Sequence, residues 1–164
     1  PTIAAVHGYA LGGGFEFALS CDLIVCDETA VFGLPEVTVG VVPGGGGTQL
    51  LARRIGTSRA VDLIFTGRIV DVTEAQHLGL VDLRVGAGEA RKAAIELATT
   101  IAGNFPIGVR NAKRALRRGL DVELAEGLEI EDEAWRRTAL SADRVEGIAA
   151  FAEKRRPDWP GVRA

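Results

Sequence analysis

With 164 residues, 47% of them hydrophobic and 25% charged, the chain falls in the range of ordinary globular proteins and is long enough to bury a core. Its 19 Lys and Arg against 22 Asp and Glu give a formal charge of −3, which excludes a global electrostatic footprint for nucleic acid or an anionic membrane. Only two cysteines, Cys21 and Cys26, are present, which argues against a disulfide scaffold or a metal site and for a reducing, cytoplasm-like compartment, and no apolar run reaches the ~18 residues of a membrane-spanning helix.

The chain opens on Pro1 and enters at once into Ile3-Ala4-Ala5-Val6, which reads as an interior start with further sequence expected upstream. That tetrapeptide and Leu23-Ile24-Val25-Cys26 are short apolar runs, the pattern of strands buried on both faces. Between them Gly14 to Ser20 has helical composition, so strand, glycine-rich turn, helix and strand follow in order, the signature of α/β layering. Val37 to Val42 predicts another strand, Pro43 to Gly47 a turn, and Thr48 to Ile55 a helix with Leu50, Leu51 and Ile55 on one side. Beyond Val85 the pattern becomes helical: Glu89 to Ala102, Val109 to Leu120, Val122 to Thr138, and about Ala142 to Arg155. The last of these carries Val145, Ile148, Ala149, Phe151 and Ala152 on its apolar side and stops before Pro157. Gly86 to Gly88 is the natural boundary, giving residues 1–86 as an α/β portion with the motifs and 87–164 as a helical region whose surplus apolar face suggests subunit packing.

Two glycine clusters each precede a helix, Gly12-Gly13-Gly14 and Gly44 to Gly47. Free backbone N–H groups and a partial positive charge at a helix N-terminus make both candidate anion or oxyanion holes, tight turns being the plainer alternative. Glu16 sits among Phe15, Phe17, Ala18 and Leu19, and Glu36 among Phe32, Leu34, Pro35 and Val37. An apolar setting raises a carboxyl pKa toward neutrality, which suits proton transfer; two such carboxyls beside an oxyanion hole would serve to add or remove water next to a carbonyl. The rivals fare worse. Neither glycine cluster has the spacing or the Lys of a nucleotide loop, and no Gly-x-Ser-x-Gly elbow accompanies His7 or His77, which read as structural. Lys154-Arg155-Arg156 is either a solvated helix end or a phosphate grip.

The string from Ile3 to Asp22, with Gly12-Gly13-Gly14-Phe15-Glu16 at its centre, resembles the signature of the enoyl-CoA hydratase/isomerase, or crotonase, family. Phe32-Gly33-Leu34-Pro35-Glu36 with Pro43 to Gln49 is similar to the family's companion motif, and Thr66-Gly67, Ala75, Gly79-Leu80-Val81 and Phe151 to Arg155 match its layout. The resemblance implies a crotonase-like spiral of strand-strand-helix units, present here in its C-terminal portion, followed by an α-helical trimerisation region. It implies hydration of the 2,3 double bond of a 2-trans-enoyl-CoA in fatty acid metabolism, with Glu16 and Glu36 as the two catalytic glutamates. Gly13 would be one of two backbone donors to the thioester oxygen, and Gly44 would line the water side of the site. Phe151 and Lys154 would help a neighbouring subunit hold CoA. No metal or redox cofactor is implied, since coenzyme A enters as part of the acyl-CoA thioester substrate, and the expected assembly is a homotrimer or a dimer of trimers without nucleic-acid or membrane partners. The family also carries an upstream half that supplies the second oxyanion donor, so the chain is expected to be a fragment of a longer product or a truncated form with unpaired sheet edges. Double-bond isomerisation, another acyl-CoA reaction of the same fold, or a non-catalytic assembly module are the alternatives.

Overall fold

A computed structural model describes residues 1–159, which divide into an α/β unit, Thr2–Ala98, and a helical unit from Thr99 onward. In the first unit the apolar runs form strands as their composition predicts. Strand β1 (Ile3–Val6) turns at His7-Gly8 into β2 (Tyr9–Leu11), and β3 (Leu23–Asp27) turns likewise into β4 (Val31–Gly33). The members of each pair join different sheets. Strands β1 and β3 run parallel with Ile3 opposite Leu23, and β2 and β4 run parallel with Tyr9 opposite Val31. Successive strand pairs therefore stack one step along two sheets at once, which is a spiral of repeated units. Strand β6 (Leu83–Val85) adds parallel to β3, and β5 (Ile69–Asp71) adds antiparallel to β4, giving the orders β1-β3-β6 and β2-β4-β5. Central β3 is buried from Ile24 to Asp27, whereas edge strand β1 is buried only at Val6, so the prediction of burial on both faces holds for β3 alone.

The helices of this unit turn apolar faces inward by ordinary helical spacing. Helix α1 (Gly13–Ser20) buries Phe15, Ala18 and Leu19; α2 (Gly47–Ile55) buries Leu51 and Ile55; α3 (Thr57–Thr66) buries Ala60, Leu63 and Ile64. These meet Ile24, Phe32, Leu34, Val70, Ala75 and Leu80 in one core, where the Phe15 and Phe32 rings stand 5.4 Å apart. Each fully buried large side chain of this kind contributes about 1.5–3 kcal/mol of transfer free energy. Helix α4 (Val72–His77) is capped by Asp71, whose carboxylate accepts from the Glu74 N–H at 2.8 Å. Arg54 ties α2 to the sheet, donating to the Leu80 carbonyl at 2.6 Å and pairing with Asp82, which also accepts from the Ile24 N–H.

Val37 to Val42 is a correction. The stretch is no strand but a 3₁₀ turn, Pro35–Val39, followed by irregular chain, with Val37, Val39, Val41 and Val42 exposed. Pro35 opens the turn with its φ already set, and the Thr38 hydroxyl closes it by donating to the Pro35 carbonyl at 2.7 Å, so local bonds replace a sheet partner.

Helix α5 (Ala90–Ala102) begins in the first unit and ends in the second. In the helical unit, α6 (Pro106–Gly119) and α7 (Leu124–Ala139) pack closely at Gly119 and Gly127, where a Cβ on Gly127 would stand 3.4 Å from the Gly119 carbonyl oxygen. Helix α8 (Ala142–Ala152) turns Asp143 and Ala150 inward, while Val145, Ile148 and Phe151 of its predicted apolar side are exposed. The chain then folds back so that the Trp159 indole N–H donates to the Gly103 carbonyl and its ring meets Phe105. Among the described residues no helix is long and apolar enough to cross a membrane.

Candidate active site

The two glutamates singled out in the sequence converge on the start of α1. Glu16 lies on the first turn of that helix and is only 6% exposed. Its amide donates to the Gly12 carbonyl at 3.0 Å, and its side chain reaches across to the second glycine loop. There Oε1 accepts from the Gly45 N–H at 2.7 Å and from the Gly47 N–H at 2.8 Å. Gly47 is the first residue of α2, so a carboxylate occupies that helix's N-terminus, where backbone donors and the dipole both favour a negative charge.

The fit requires bare backbone. A Cβ on Gly45 would stand 2.6 Å from Glu16 Oε2, and one on Gly47 would stand 3.0 Å from Oε1 and 2.9 Å from Leu34 Cδ1. The glycines of the second cluster are therefore spent on holding Glu16, not on presenting an open oxyanion hole as the sequence suggested. The setting of Glu16 is accordingly hydrogen-bonded backbone rather than the apolar one expected from its neighbours in the chain.

Glu36 arrives from the 3₁₀ turn. The turn is fastened by the Glu36 carbonyl, which accepts the Gly40 and Val41 amides, and by Gly33 just before it, whose carbonyl accepts the Gly12 N–H at 3.0 Å. The Glu36 carboxylate faces Gly12: its Oε1 lies 3.4 Å from where a Cβ on Gly12 would stand. Glu36 Oε2 is buried and has no hydrogen-bond partner within the protein. An unpartnered buried carboxylate oxygen is costly, and acceptors of this kind are met by a water or a ligand group.

Gly13 and Gly14 complete the geometry. Both are exposed, and a Cβ on either would meet nothing within 4 Å. The intrahelical bonds of α1 start with the Phe15 and Glu16 amides on Gly12, so the Gly13 and Gly14 N–H groups precede them at the positive end of the helix. The first cluster thus has the donors for an oxyanion, with Glu16 one turn along the same helix and the Glu36 carboxylate facing Gly12.

Of the remaining sequence candidates, Gly44 is exposed in the loop just before Gly45 and has no close side-chain neighbour. Phe151 and Lys154 belong to the helical unit: Phe151 ends α8 at 88% exposure, and Lys154 follows with a left-handed φ of 54°. His7 is exposed. Gly12, Gly45 and Gly47 were passed over as individual site residues. The signal for the last two was four successive glycines between Pro43 and Thr48, far more than a turn needs.

The chain matches the family described as enoyl-CoA hydratase/isomerase over residues 1–162. It is 50% identical over 161 residues to "Probable enoyl-CoA hydratase 2, mitochondrial" of Arabidopsis thaliana, covering 98% of this chain and 54% of that protein. It is 48% identical over 165 residues to "Enoyl-CoA hydratase domain-containing protein 2, mitochondrial" of Homo sapiens, covering 98% of this chain and 56% of the relative. The crystal structure of enoyl-CoA hydratase from Bacillus anthracis superposes with a TM-score of 0.96 at 46% identity, over 98% of this chain and 62% of that one. The chain therefore spans little more than half the length of these curated relatives, and its α/β fold is the crotonase-like one. On the match along nearly its whole length and on the paired glutamates at a glycine-started helix, the chain belongs to the enoyl-CoA hydratase/isomerase family.

Proposed function

We propose that the protein carrying this chain is an enoyl-CoA hydratase, which adds water reversibly across the 2,3 double bond of a 2-trans-enoyl-CoA thioester in fatty acid metabolism. The observation that carries this reading is the division of labour between the glutamate oxygens. Glu16 Oε1 is committed to two backbone N–H groups, and both of those bonds leave Oε2 to meet a water, while Glu36 offers a buried oxygen with no protein partner. Two carboxylates gripping one water suit hydration better than a single-base isomerisation.

The thioester oxygen accepts the Gly13 N–H at the positive end of α1, with a second donor supplied from outside this chain. As the water oxygen bonds to C3, Glu16 takes its proton, the double-bond electrons move toward the carbonyl and negative charge grows on the thioester oxygen. Donors already in place for that charge stabilise the transition state more than the ground state. Glu36 then delivers a proton to C2, and exchange between the two carboxyls through product release and a new water restores both. Coenzyme A enters as part of the substrate, and the residues described perform the step without a metal or redox group.

Phe151 and Lys154 reach the CoA of a neighbouring subunit in this reading, in a homotrimer or dimer of trimers. The exposed Leu116, Leu120, Leu124 and Leu140 of the helical unit support such packing, since runs of exposed leucine favour burial against another subunit. Free cysteines at Cys21 and Cys26 fit a reducing compartment such as the cytoplasm.

The test is loss of enoyl-thioester absorbance with crotonyl-CoA, run on this chain and on the whole gene product. Hydration by the whole product supports the reading. A folded whole product that leaves crotonyl-CoA unchanged but shifts the double bond of a 3-enoyl-CoA would replace it by isomerisation.

A further inference from the structure

The turn that carries Glu36 is tied to β4 at its start and rests against the end of α3, where Gly67 lies beneath it. That residue caps α3 in the left-handed conformation, φ 64° and ψ 15°, with its N–H donating to the Leu63 carbonyl at 3.1 Å. Its missing side chain is occupied space. A Cβ there would stand 2.7 Å from Thr38 Cγ2, 3.4 Å from Pro35 Cα and 3.4 Å from Val37 Cγ2, three residues of the Pro35–Val39 turn. Just before the turn, Gly33 pairs with Ile69 across β4 and β5, so chain 67–69 supports the segment on both sides of Glu36.

We propose that Gly67 is a positioning residue for Glu36, setting the depth at which the Pro35–Val39 turn seats and hence where the unpartnered Glu36 oxygen is held. The proposal rests on the hydratase reading only for its kinetic readout. A left-handed helix cap alone accounts for a glycine, but it accounts for neither the close approach of Thr38 nor its direction, from the turn onto the cap. Ordinary carbon contacts begin near 3.4 Å, so a methyl on Gly67 pushes Thr38 Cγ2 outward by about 0.7 Å, with Pro35 and Val37 already in contact beside it. The shift passes to Glu36 because Thr38 is bonded through its hydroxyl to Pro35, on the other side of Glu36.

In the whole gene product, Gly67→Ala is expected to lower kcat for crotonyl-CoA hydration about tenfold or more, with KM changed less than about twofold, since ångström-scale misplacement of a reacting group costs up to ~100-fold. Thr38→Ser in the same chain removes the obstructing Cγ2, keeps the hydroxyl bond to Pro35 and restores most of the rate, although the backbone strain at Gly67 remains. In a Glu36→Gln background, Gly67→Ala has no further effect on the residual rate. Gly67→Asn, which tolerates the left-handed conformation better, repeats the loss and serves if the alanine variant melts too low to assay. Crystal structures of the wild type, the single variant and the Gly67→Ala/Thr38→Ser pair give a readout independent of activity: the Glu36 carboxylate moves in the first variant and returns in the second. An unmoved Glu36, an unrescued rate or an equal loss in the Glu36→Gln background overturns the proposal. A wild type that leaves crotonyl-CoA untouched sinks the hydratase reading instead, and the crystallographic comparison still decides the role of Gly67.

Discussion

The proposed function gives Glu16 two roles that two substitutions separate. Removing its carboxylate with Glu16→Ala strands the Gly47 N–H, which is buried, and the Gly45 N–H, which is partly reached by water. An unsatisfied buried donor costs about 1–3 kcal/mol, and the lost anion at the N-terminus of α2 adds about 0.3–1 kcal/mol, so about 1.3–4 kcal/mol is expected in all. At about 2–4 °C per kcal/mol for a chain of this size, Tm falls by about 3–16 °C. Glu16→Gln leaves an amide oxygen in the place of Oε1, so both N–H groups keep an acceptor and only the charge assistance is lost; Tm drops by no more than a few degrees. Hydration behaves the other way. The glutamine cannot take a proton from water, and the rate falls by about 10²–10⁴-fold while the fold persists. Thermal unfolding by circular dichroism together with the crotonyl-CoA assay reads both roles. A glutamine variant that melts as low as the alanine variant, or hydrates at the wild-type rate, refutes the assignment of Oε1 to structure and Oε2 to chemistry.

Asp27 is buried at the end of β3 and accepts the Thr29 hydroxyl at 2.6 Å, the Thr29 N–H at 2.9 Å and the Gly88 N–H at 2.9 Å, so its pKa is held below the ordinary carboxylate range, first of all by the Thr29 hydroxyl. A depressed folded-state pKa contributes stability that is complete above the unfolded value of about 3.9 and disappears as pH falls through the folded one, so Asp27→Asn lowers Tm at pH 7 by a gap that narrows below about pH 4; a gap independent of pH would disprove the linkage. Cys26 is fully buried, and burial, reinforced by the Asp27 charge, pushes its thiol up to about 11. A disulfide reagent at pH 8 should therefore modify Cys21 in the native protein and both thiols after unfolding, and rapid native labelling of both would contradict the burial of β3.

The elements legible in the sequence were those long or periodic enough to carry a pattern: β1, β3, α1, α2 and the C-terminal helices. The three-residue strands β2, β4, β5 and β6 contain too few positions to show an alternation, and their pairing is set by partners 20 or more residues away. Val37 to Val42 misled because β-branched residues carry strand propensity in isolation, whereas Pro35 and the Thr38 hydroxyl bond closed a local turn first. The predicted apolar side of α8 failed differently. Hydrophobicity marks a surface that is to be covered, but Val145, Ile148 and Phe151 lie outside the core of this chain, and Asp143 and Ala150 point inward. In the site, Glu16 and Glu36 were visible through their apolar neighbours, whereas the partnership of Glu16 with Gly45 and Gly47 joins residues 29 and 31 positions apart and left only an excess of glycine as its trace.

The two glycine clusters begin from the same physics and end in opposite uses. Each stands between a strand-turn segment and a helix, and each offers N–H groups at a positive helix end, so local sequence assigns them the same capacity. What separates them is whether a carboxylate of the chain itself lies within reach. Glu16, one turn into α1, points at the second loop, and the absence of Cβ atoms at Gly45 and Gly47 lets it close to hydrogen-bond distance, which fills that site from within. The first loop has no such claimant: Glu36 approaches Gly12 with its carboxylate, but Gly13 and Gly14 stay open. One helix end is thereby converted into a clamp that fixes a carboxylate, and the other is left as the place where a ligand oxygen can be charged. The spiral repeat sets both beside each other by stacking β2 on β4, with the Gly12 N–H on the Gly33 carbonyl as the joint. A substitution that frees the Gly45 and Gly47 donors would thus create a second anion site and remove the proposed base in one step, which is why the clamp and the proposed chemistry cannot be tuned apart at Glu16 except by an isosteric amide.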